Sequence, residues 1–418
     1  MSATLEIDAA RVQAEIDELA TITSVPNPAT TRVLFSDEDL KARVWVVSRL
    51  EALGLQVHTD AIGNIFARWE GTEPELPAIA TGSHIDAIPN AGRYDGVVGV
   101  LGPLEAFRAL KAAGFTPRRS LELIVFTSEE PTRFGLGCLG SRLMSGRLAP
   151  EKALTLKDSN GVTLAEWLGR MPWGKPELES VPLPTGHYRA FVELHIEQGP
   201  LLERDEIDIG VVEKIAAPSA FRLRIDGAGG HAGAVLMPDR RDALMGACEI
   251  ALVIEKAALA SGSPDTVATV GVLRVEPGAI NSIPFHAHME VDLRDTDLAA
   301  RKRTLDHVLM EASSICKRRG LRFEGEEINA DPPAIAEPAL VQSALNHALS
   351  SGFTARTMIS RAYHDSLFMA MICPTTMIFI PCRDGVSHRP DEYSSPTQIA
   401  AGIRVLAEAL RDWSLNLA

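Results

Sequence analysis

His84 and Asp86 stand two residues apart in Thr81-Gly82-Ser83-His84-Ile85-Asp86, directly behind the apolar run Leu76 to Ala80, which reads as a buried strand. Asp95 follows in the glycine-rich stretch Gly92-Arg93-Tyr94-Asp95-Gly96. Glu129-Glu130 comes after a second apolar run, His195 opens His195-Ile196-Glu197-Gln198-Gly199, and His388 lies in Ser387-His388-Arg389-Pro390-Asp391-Glu392. Imidazoles and carboxylates are the ligands of borderline divalent cations such as Zn²⁺, and a catalytic site keeps one position open for water. Two such ions roughly 4 Å apart can clamp a water and a substrate oxygen together. If His84, Asp95, Glu130, His195 and His388 converge, the chemistry is two-metal hydrolysis.

Each piece alone has a plainer reading. A Ser-His-x-Asp stretch is usually a polar loop, and paired glutamates usually sit on a solvated helix. What raises these above that reading is shared placement at or beyond strand ends, where ligands bind in open α/β sheets. Asp86 is placed to accept from the second imidazole nitrogen of His84 and so fix its tautomer. Glu129 and Glu130 follow Ile124-Val125-Phe126-Thr127. Strand residues alternate in direction, so one glutamate can bind metal while its neighbour acts as a base. His231 sits in Gly229-Gly230-His231-Ala232-Gly233, which reads equally as a tight turn; a phosphate loop is disfavoured, since no Gly-Lys-Ser/Thr ending follows. Asn281 and Arg294 could hold a carboxylate, Arg294 as a two-pronged fork, against the plainer reading of a turn residue and a surface cation. His187, His286, His288 and His347 show no supporting pattern.

The elements that must position these residues alternate between helix and strand in the first part of the chain. Leu40, Val44, Val47 and Leu50 form a helical stripe ending near Gly54, and Leu101, Leu104, Phe107 and Leu110 another within Val98 to Ala113. Asn64–Ala67, Pro77–Thr81, Leu121–Thr127 and Ala190–His195 read as strands. That alternation predicts an α/β layer with a largely parallel sheet. The Pro- and Gly-rich region from Leu148 to Thr185 reads as a long surface excursion. Strict alternation in Phe221 to Asp226 and His286 to Arg294 predicts antiparallel strands with one wet face, with helices over Asp239–Ala258 and Leu298–Arg319. After Pro332-Pro333 the α/β pattern returns, with helices at Pro338–Ser350 and Pro396–Trp413 and a buried strand at Thr375–Ile380. We therefore expect a discontinuous catalytic domain, residues 1–211 and 331–418, interrupted by an α+β domain over 212–330.

The 418 residues favour more than one core. A net charge of −14 argues against nucleic acid and anionic membranes as partners. No apolar run approaches the roughly 18 residues that span a bilayer, and the acidic start lacks a signal-peptide layout. Five scattered cysteines with no C-x-x-C pair argue against disulfides and thiolate metal sites, so a reducing cytoplasm is expected.

Taken together, Gly82-Ser83-His84-Ile85-Asp86, Gly92-Arg93-Tyr94-Asp95-Gly96, Ser128-Glu129-Glu130, His195-Ile196-Glu197-Gln198-Gly199, Gly230-His231-Ala232-Gly233 and Ser387-His388 resemble the metal-dependent amidohydrolases related to the dinuclear aminopeptidases. That branch contains N-carbamoyl-L-amino acid hydrolases, β-ureidopropionases, allantoate amidohydrolases and ureidoglycolate amidohydrolases. The resemblance spans nearly the whole chain and is strongest to the ureidoglycolate-cleaving members, through Ile85 to Pro89, Phe126 to Gly135, His231 to Arg240 and Ile359 to Ser366. Allantoate enzymes carry glycine where Tyr363 stands, and plant ureidoglycolate enzymes carry an N-terminal targeting extension that this sequence lacks. The resemblance implies an aminopeptidase-like catalytic domain, a mostly parallel sheet with helices on both faces, and an inserted lid and dimerisation domain. It implies two divalent ions per subunit, Mn²⁺ or Zn²⁺. His84, Asp95 and His195 would hold one, and Asp95, Glu130 and His388 the other. Glu129 would be the general base acting on a metal-bridged hydroxide. Gln198, Asn281, Arg294, Tyr363 and His364 would bind a small ureido-carboxylate substrate, and His231 would come from the partner subunit of a homodimer to stabilise the oxyanion.

Overall fold

A computed structural model describes residues 5–173 and 177–417. It divides into two compact units. One comprises Met1–Glu213, Ile335–Ile359 and His364–Ala418, and the other Lys214–Ala334 with Ser360–Tyr363.

The first unit is built on a nine-stranded sheet. Its centre runs Thr375–Ile380, Tyr188–Ile196, Ala78–His84, Leu121–Phe126, and these four strands are mutually parallel. Both flanks turn antiparallel: Ile209–Ile215 against Thr375–Ile380 on one side, Ile65–Trp69 and Gln56–Thr59 on the other. The sheet is therefore mixed, with its parallel part confined to the middle. Every residue of Ala78–His84 and Leu121–Phe126 is buried, as strands covered on both faces require. The two covers are distinct. Ile79, Leu121, Leu123 and Leu194 join a cluster with the helices Val98–Ala112 and Pro396–Asn416. Ala78, Ala80, Ile124 and Phe126 face the opposite way, into a second cluster.

That second cluster corrects one expectation. The described residues of 148–185 are no surface excursion: Ala153, Leu164, Leu168, Met171, Leu178 and Val181 are buried in it. The segment folds as short helices, Pro150–Leu154 and Leu164–Leu168, the latter opened by a Thr163–Glu166 capping box. These pieces are too short to show a helical period, and their leucines cover that face of the sheet together with Leu34, Leu139, Leu143 and Met369. A second difference concerns the helix Asp37–Ala52. Its buried face carries Asp39, Ala42, Arg43, Val46 and Leu50, while Val44 is 71% exposed. The reason is a buried ion pair: Arg43 Nε lies 3.0 Å from Asp39 Oδ1, and Asp39 Oδ2 accepts from the Phe35 N–H at 2.8 Å. Those partners turn the polar pair inward and roll Val44 out.

The second unit is a four-stranded antiparallel sheet in the order Val267–Glu276, His286–Asp295, Ala217–Asp226, Arg322–Ala330. Alternate residues Ala287, Met289, Val291 and Leu293 pack under the helices Ala243–Leu259 and Leu298–Arg319, leaving the other face wet. Asp242 and Asp297 cap those helices by accepting from Met245 N and from Ala299 and Ala300 N. Ser360–Tyr363, which sequence alone gave to the catalytic part, belongs to this unit. Arg294 Nη1 donates to the Arg361 carbonyl at 3.1 Å, and the Arg361 guanidinium pairs with Asp265.

Candidate metal centre

The four parallel strands deliver four of the five candidate ligands at or beyond their C-terminal ends, and Asp95 stands in the turn between the strand Ala87–Ala91 and the helix Val98–Ala112. His84 is the last residue of Ala78–His84 and His195 is the penultimate residue of Tyr188–Ile196. Glu130 follows Leu121–Phe126, and His388 lies on the loop after Thr375–Ile380. Loop residues Ser128, Gln198 and His388 have left-handed backbones with φ of 56°, 57° and 59°. Such strain in non-glycine residues clusters where a structure over-determines a site.

Asp95 is the centre of the arrangement. Its Oδ1 lies 3.2 Å from His195 Nε2 and 3.7 Å from His84 Nε2. Its Oδ2 lies 3.2 Å from His388 Nε2, and that nitrogen is 3.4 Å from Glu130 Oε1. Two groups of potential ligand atoms result, His84–Asp95–His195 and Asp95–Glu130–His388, sharing one carboxylate. The tautomers suit ligation. His84 Nδ1 meets the Asp86 carbonyl at 3.0 Å and His195 Nδ1 meets the Ile196 carbonyl at 2.9 Å. Main-chain oxygens can only accept, so Nδ1 carries a proton and Nε2 is the nitrogen of each ring that faces Asp95. Close approach is possible because residue 96 is glycine: a Cβ there would lie 2.4 Å from His84 Nε2.

Asp86 acts differently from the sequence expectation. Its carboxylate is 3.6 Å from His84 Nδ1, too long for a hydrogen bond. It accepts instead from the Glu129 and Glu130 N–H groups at 3.3 and 3.1 Å. Its backbone oxygen fixes the imidazole, and its side chain holds the glutamate loop. Glu129 and Glu130 are not on a strand either. Leu121–Phe126 ends first, and the left-handed Ser128 turns the chain. Glu129 Oε2 reaches within 3.7 Å of His84 Nε2.

The electrostatics are those of a site short of positive charge. Burial alone would raise Asp95, but the imidazoles of His195, His388 and His84 hold it well below the carboxylate range. Burial pushes Glu129 well up, with Glu130, Asp365 and Asp95 adding repulsion against the His84 charge. Burial and the Asp95 charge push Glu130 to about 7. The Asp95 hydrogen bond raises His388 to about 9. Three imidazoles and two carboxylates with no thiolate, packed against further buried acids, fit Zn²⁺ or Mn²⁺.

Other expected site residues fall in both units. Gln198 Nε2 donates to Asp95 Oδ2 at 2.8 Å, so in this arrangement its amide steadies a ligand. His364 is buried with its ring 4.6 Å from that of His195. In the second unit, His231 and Asn281 are neighbours: Gly230–His231 pairs with Ser282–Ile283, and the Ala232 N–H donates to the Asn281 carbonyl at 2.9 Å. The Gly233 N–H donates to His231 Nδ1 at 3.1 Å, so Nε2 is the ring nitrogen left to donate, and the residue is exposed. The Arg294 fork is occupied by Asp292 at 2.7 and 3.1 Å, and the Tyr363 hydroxyl donates to Asp331. His187 is exposed, while His286, His288 and His347 pair with surface acids.

Sequence reasoning passed over Glu392. It is buried, its Oε1 accepts from the Tyr94 and Asp95 N–H groups at 2.8 and 3.1 Å, and its Oε2 faces Ser387 Oγ at 2.9 Å. A carboxylate close behind the Ser-His pair was the available signal. Glu193 also escaped notice; Ser83 and Ser366 donate to its two oxygens at 2.7 and 2.6 Å, beneath the site.

Known proteins resemble the chain over its whole length. The chain is 50% identical to a ureidoglycolate hydrolase of Arabidopsis thaliana over 422 aligned residues, covering 100% of this chain and 89% of that protein. It is 52% identical to a ureidoglycolate hydrolase of Oryza sativa subsp. japonica over 416 residues, covering 98% and 86%. The crystal structure of AtUAH in complex with (S)-hydroxyglycine superposes with a TM-score of 0.92 at 50% identity, covering 99% of this chain and 100% of that one. Residues 80–412, from the strand that carries His84 into the last helix, match the profile of peptidase family M20/M25/M40, and the chain belongs to that family.

Proposed function

We propose that this protein is a metal-dependent amidohydrolase that cleaves the ureido C–N bond of (S)-ureidoglycolate, yielding glyoxylate, two ammonia molecules and CO₂ with one water consumed. The observation that carries the hydrolytic reading is Asp95, whose two oxygens face two separate ligand groups. The substrate reading is supported by half-identity over the full chain to proteins named ureidoglycolate hydrolase, and by the likeness to a structure holding (S)-hydroxyglycine. That compound is what remains when the carbamoyl group leaves ureidoglycolate.

His84, Asp95 and His195 would hold one divalent ion, and Asp95, Glu130 and His388 a second, Mn²⁺ or Zn²⁺. Ions held there supply Lewis acidity that makes water nucleophilic at neutral pH. Glu129 receives the proton of the attacking water and passes it to the leaving nitrogen; its raised pKa suits a group that must both take and give. His231 presents Nε2–H as a donor toward the oxyanion. Arg294 and Asn281 anchor the substrate carboxylate, Arg294 exchanging Asp292 for it, and Gln198, Tyr363 and His364 complete the site. Asp86 holds the Glu129-Glu130 loop. The carbamate released breaks down to CO₂ and ammonia, and hydroxyglycine loses the second ammonia.

The inserted part, residues 212–330, serves as lid and dimerisation domain to the catalytic part, 1–211 and 331–418. Support for a homodimer is an exposed row on the Ala243–Leu259 helix: Met245, Leu252 and Leu259 recur every seventh residue at 46%, 57% and 85% exposure. Such exposed apolar side chains on one helix are what a homodimer interface would cover. A cytoplasmic location accords with five free cysteines, and no helix among the described residues is long and apolar enough to cross a membrane.

The test is ammonia and glyoxylate release from metal-loaded protein given ureidoglycolate, allantoate, β-ureidopropionate and several N-carbamoyl-L-amino acids. Ureidoglycolate should give the highest kcat/KM. Faster turnover of any other compound overturns the substrate assignment in favour of that branch of the family. Turnover unaffected by chelation overturns the metal reading.

A further inference from the structure

Glu129 uses its two oxygens in opposite directions. Oε2 faces His84 Nε2 at 3.7 Å, and Oε1 faces the thiol of Cys138 at 3.6 Å. We propose that Cys138 is a positioning residue for Glu129: its S–H holds Oε1, so that Oε2 points at the reacting proton. The inference rests on the reading of Glu129 as the base.

The backbone around Cys138 is arranged for this contact. Three consecutive N–H groups, of Cys138, Leu139 and Gly140, donate to the carbonyls of Glu129, Ser128 and Thr127 at 2.8, 2.9 and 2.8 Å. They clasp the two segments together across an intervening loop. The approach is close enough that a Cβ on Gly137 would lie 2.6 Å from the Glu129 carbonyl oxygen. Cys138 itself is left-handed, with φ 54° and ψ 37°, at the entry to the Leu139–Met144 helix. Glycine adopts that conformation without penalty, whereas a side chain there costs about 1 kcal/mol or more. At Cys138 that cost goes with a side chain aimed at Glu129.

The side chain does not stand among the candidate metal ligands. Cys138 belongs to no ligand group among the described residues. It is fully buried, and burial together with the Glu129 and Asp365 charges holds the thiol protonated, so it faces the carboxylate as a donor. One turn further along the same helix, Ser141 donates to the buried Asp365. The helix start thus supplies a donor to each of two acids behind the site. A donor on one oxygen, even a weak one such as a thiol, biases the terminal torsion of the carboxylate, which is otherwise broad.

The experiment compares Cys138→Ala, Cys138→Gly and Glu129→Gln in full-length, metal-loaded protein, with the best substrate of the panel above. Both Cys138 variants should lose about 10-fold in kcat, the lower end for residues that support a metal site from behind, with KM and metal content unchanged. Cys138→Gly removes the thiol while relieving the backbone, so it reports even if the alanine variant folds poorly. Wild-type kcat in the glycine variant, with Glu129→Gln inactive, overturns the positioning role alone. Loss of metal along with activity overturns it as well, in favour of simple packing. An active Glu129→Gln variant overturns the base assignment on which the inference stands.

Discussion

Replacing Gly96 by alanine should disable the site through geometry rather than chemistry. Gly96 follows the shared carboxylate Asp95, has φ +67°, and a Cβ built on it lies 2.4–2.5 Å from three atoms of the His84 ring. Ordinary carbon contacts are about 3.5 Å or more, so the imidazole or the loop must move by about 1 Å. Catalytic constellations tolerate about 0.5 Å, and a 1 Å misplacement costs about 100-fold in rate. The left-handed backbone adds about 1–2 kcal/mol of destabilisation. The two effects separate with a control. Gly161 has φ +79° and nothing within 4 Å of its Cβ. Gly161→Ala should therefore show a comparable stability loss in denaturant titration with normal kcat and metal content. Gly96→Ala should show that loss plus an approximately 100-fold fall in kcat/KM, with weakened metal retention by elemental analysis. Equal activity in the two variants would refute the claim that close packing of Gly96 on His84 sets the ligand geometry.

Further predictions concern metal uptake and assembly. With no metal bound, His388 titrates near 9, chiefly through its Asp95 hydrogen bond, and Glu130 near 7, chiefly through burial. Both bind protons more tightly than in the unfolded chain, and metal must displace those protons. Metal affinity should climb with pH across about 6 to 9, with proton release visible as buffer-dependent heat in titration calorimetry; a flat profile contradicts the ligand assignment. Mixed dimers of Glu129→Gln and His231→Ala should regain activity that neither parent shows, if His231 serves the partner's site; no regain places the donor within one subunit. Leu252→Glu, in the middle of the exposed Met245–Leu252–Leu259 row, should dissociate the proposed dimer in analytical ultracentrifugation while leaving each subunit's metal content intact, and an unchanged sedimentation profile would remove that helix from the proposed interface.

Much of the fold was legible where the signal is local. Leu298–Arg319, Pro338–Ser350 and Thr375–Ile380 stand at the bounds that periodicity and proline placement suggested, because caps, turns and apolar period all lie within the segment itself. The strand His286–Asp295 likewise alternates in burial at every residue. Where the signal is not local, the reading failed. Leu164 and Leu168 lie in a five-residue helix with no period to detect, and their burial depends on a sheet face assembled from strands far away. Val44 looked like core because it is apolar, yet the Asp39–Arg43 pair outranks it: an unpartnered buried charge costs several kcal/mol, more than one valine's burial contributes.

For the site, residue types and strand-end positions were enough to nominate His84, Asp95, Glu130, His195 and His388, because metal chemistry restricts the ligands and α/β topology restricts where they stand. Only the tertiary structure decided which oxygen of Asp95 faces which imidazole. It also gave Asp86's carboxylate to the glutamate loop rather than to His84, and brought Glu392 to the Tyr94 and Asp95 N–H groups from 298 and 297 residues away in the chain. The division has a physical cause. A donor's chemistry belongs to its residue and its strand end to the local pattern. The partner it meets is set by hydrogen bonds closed across the whole fold, and a strained turn at Ser128 or Cys138 exists only because such bonds hold it.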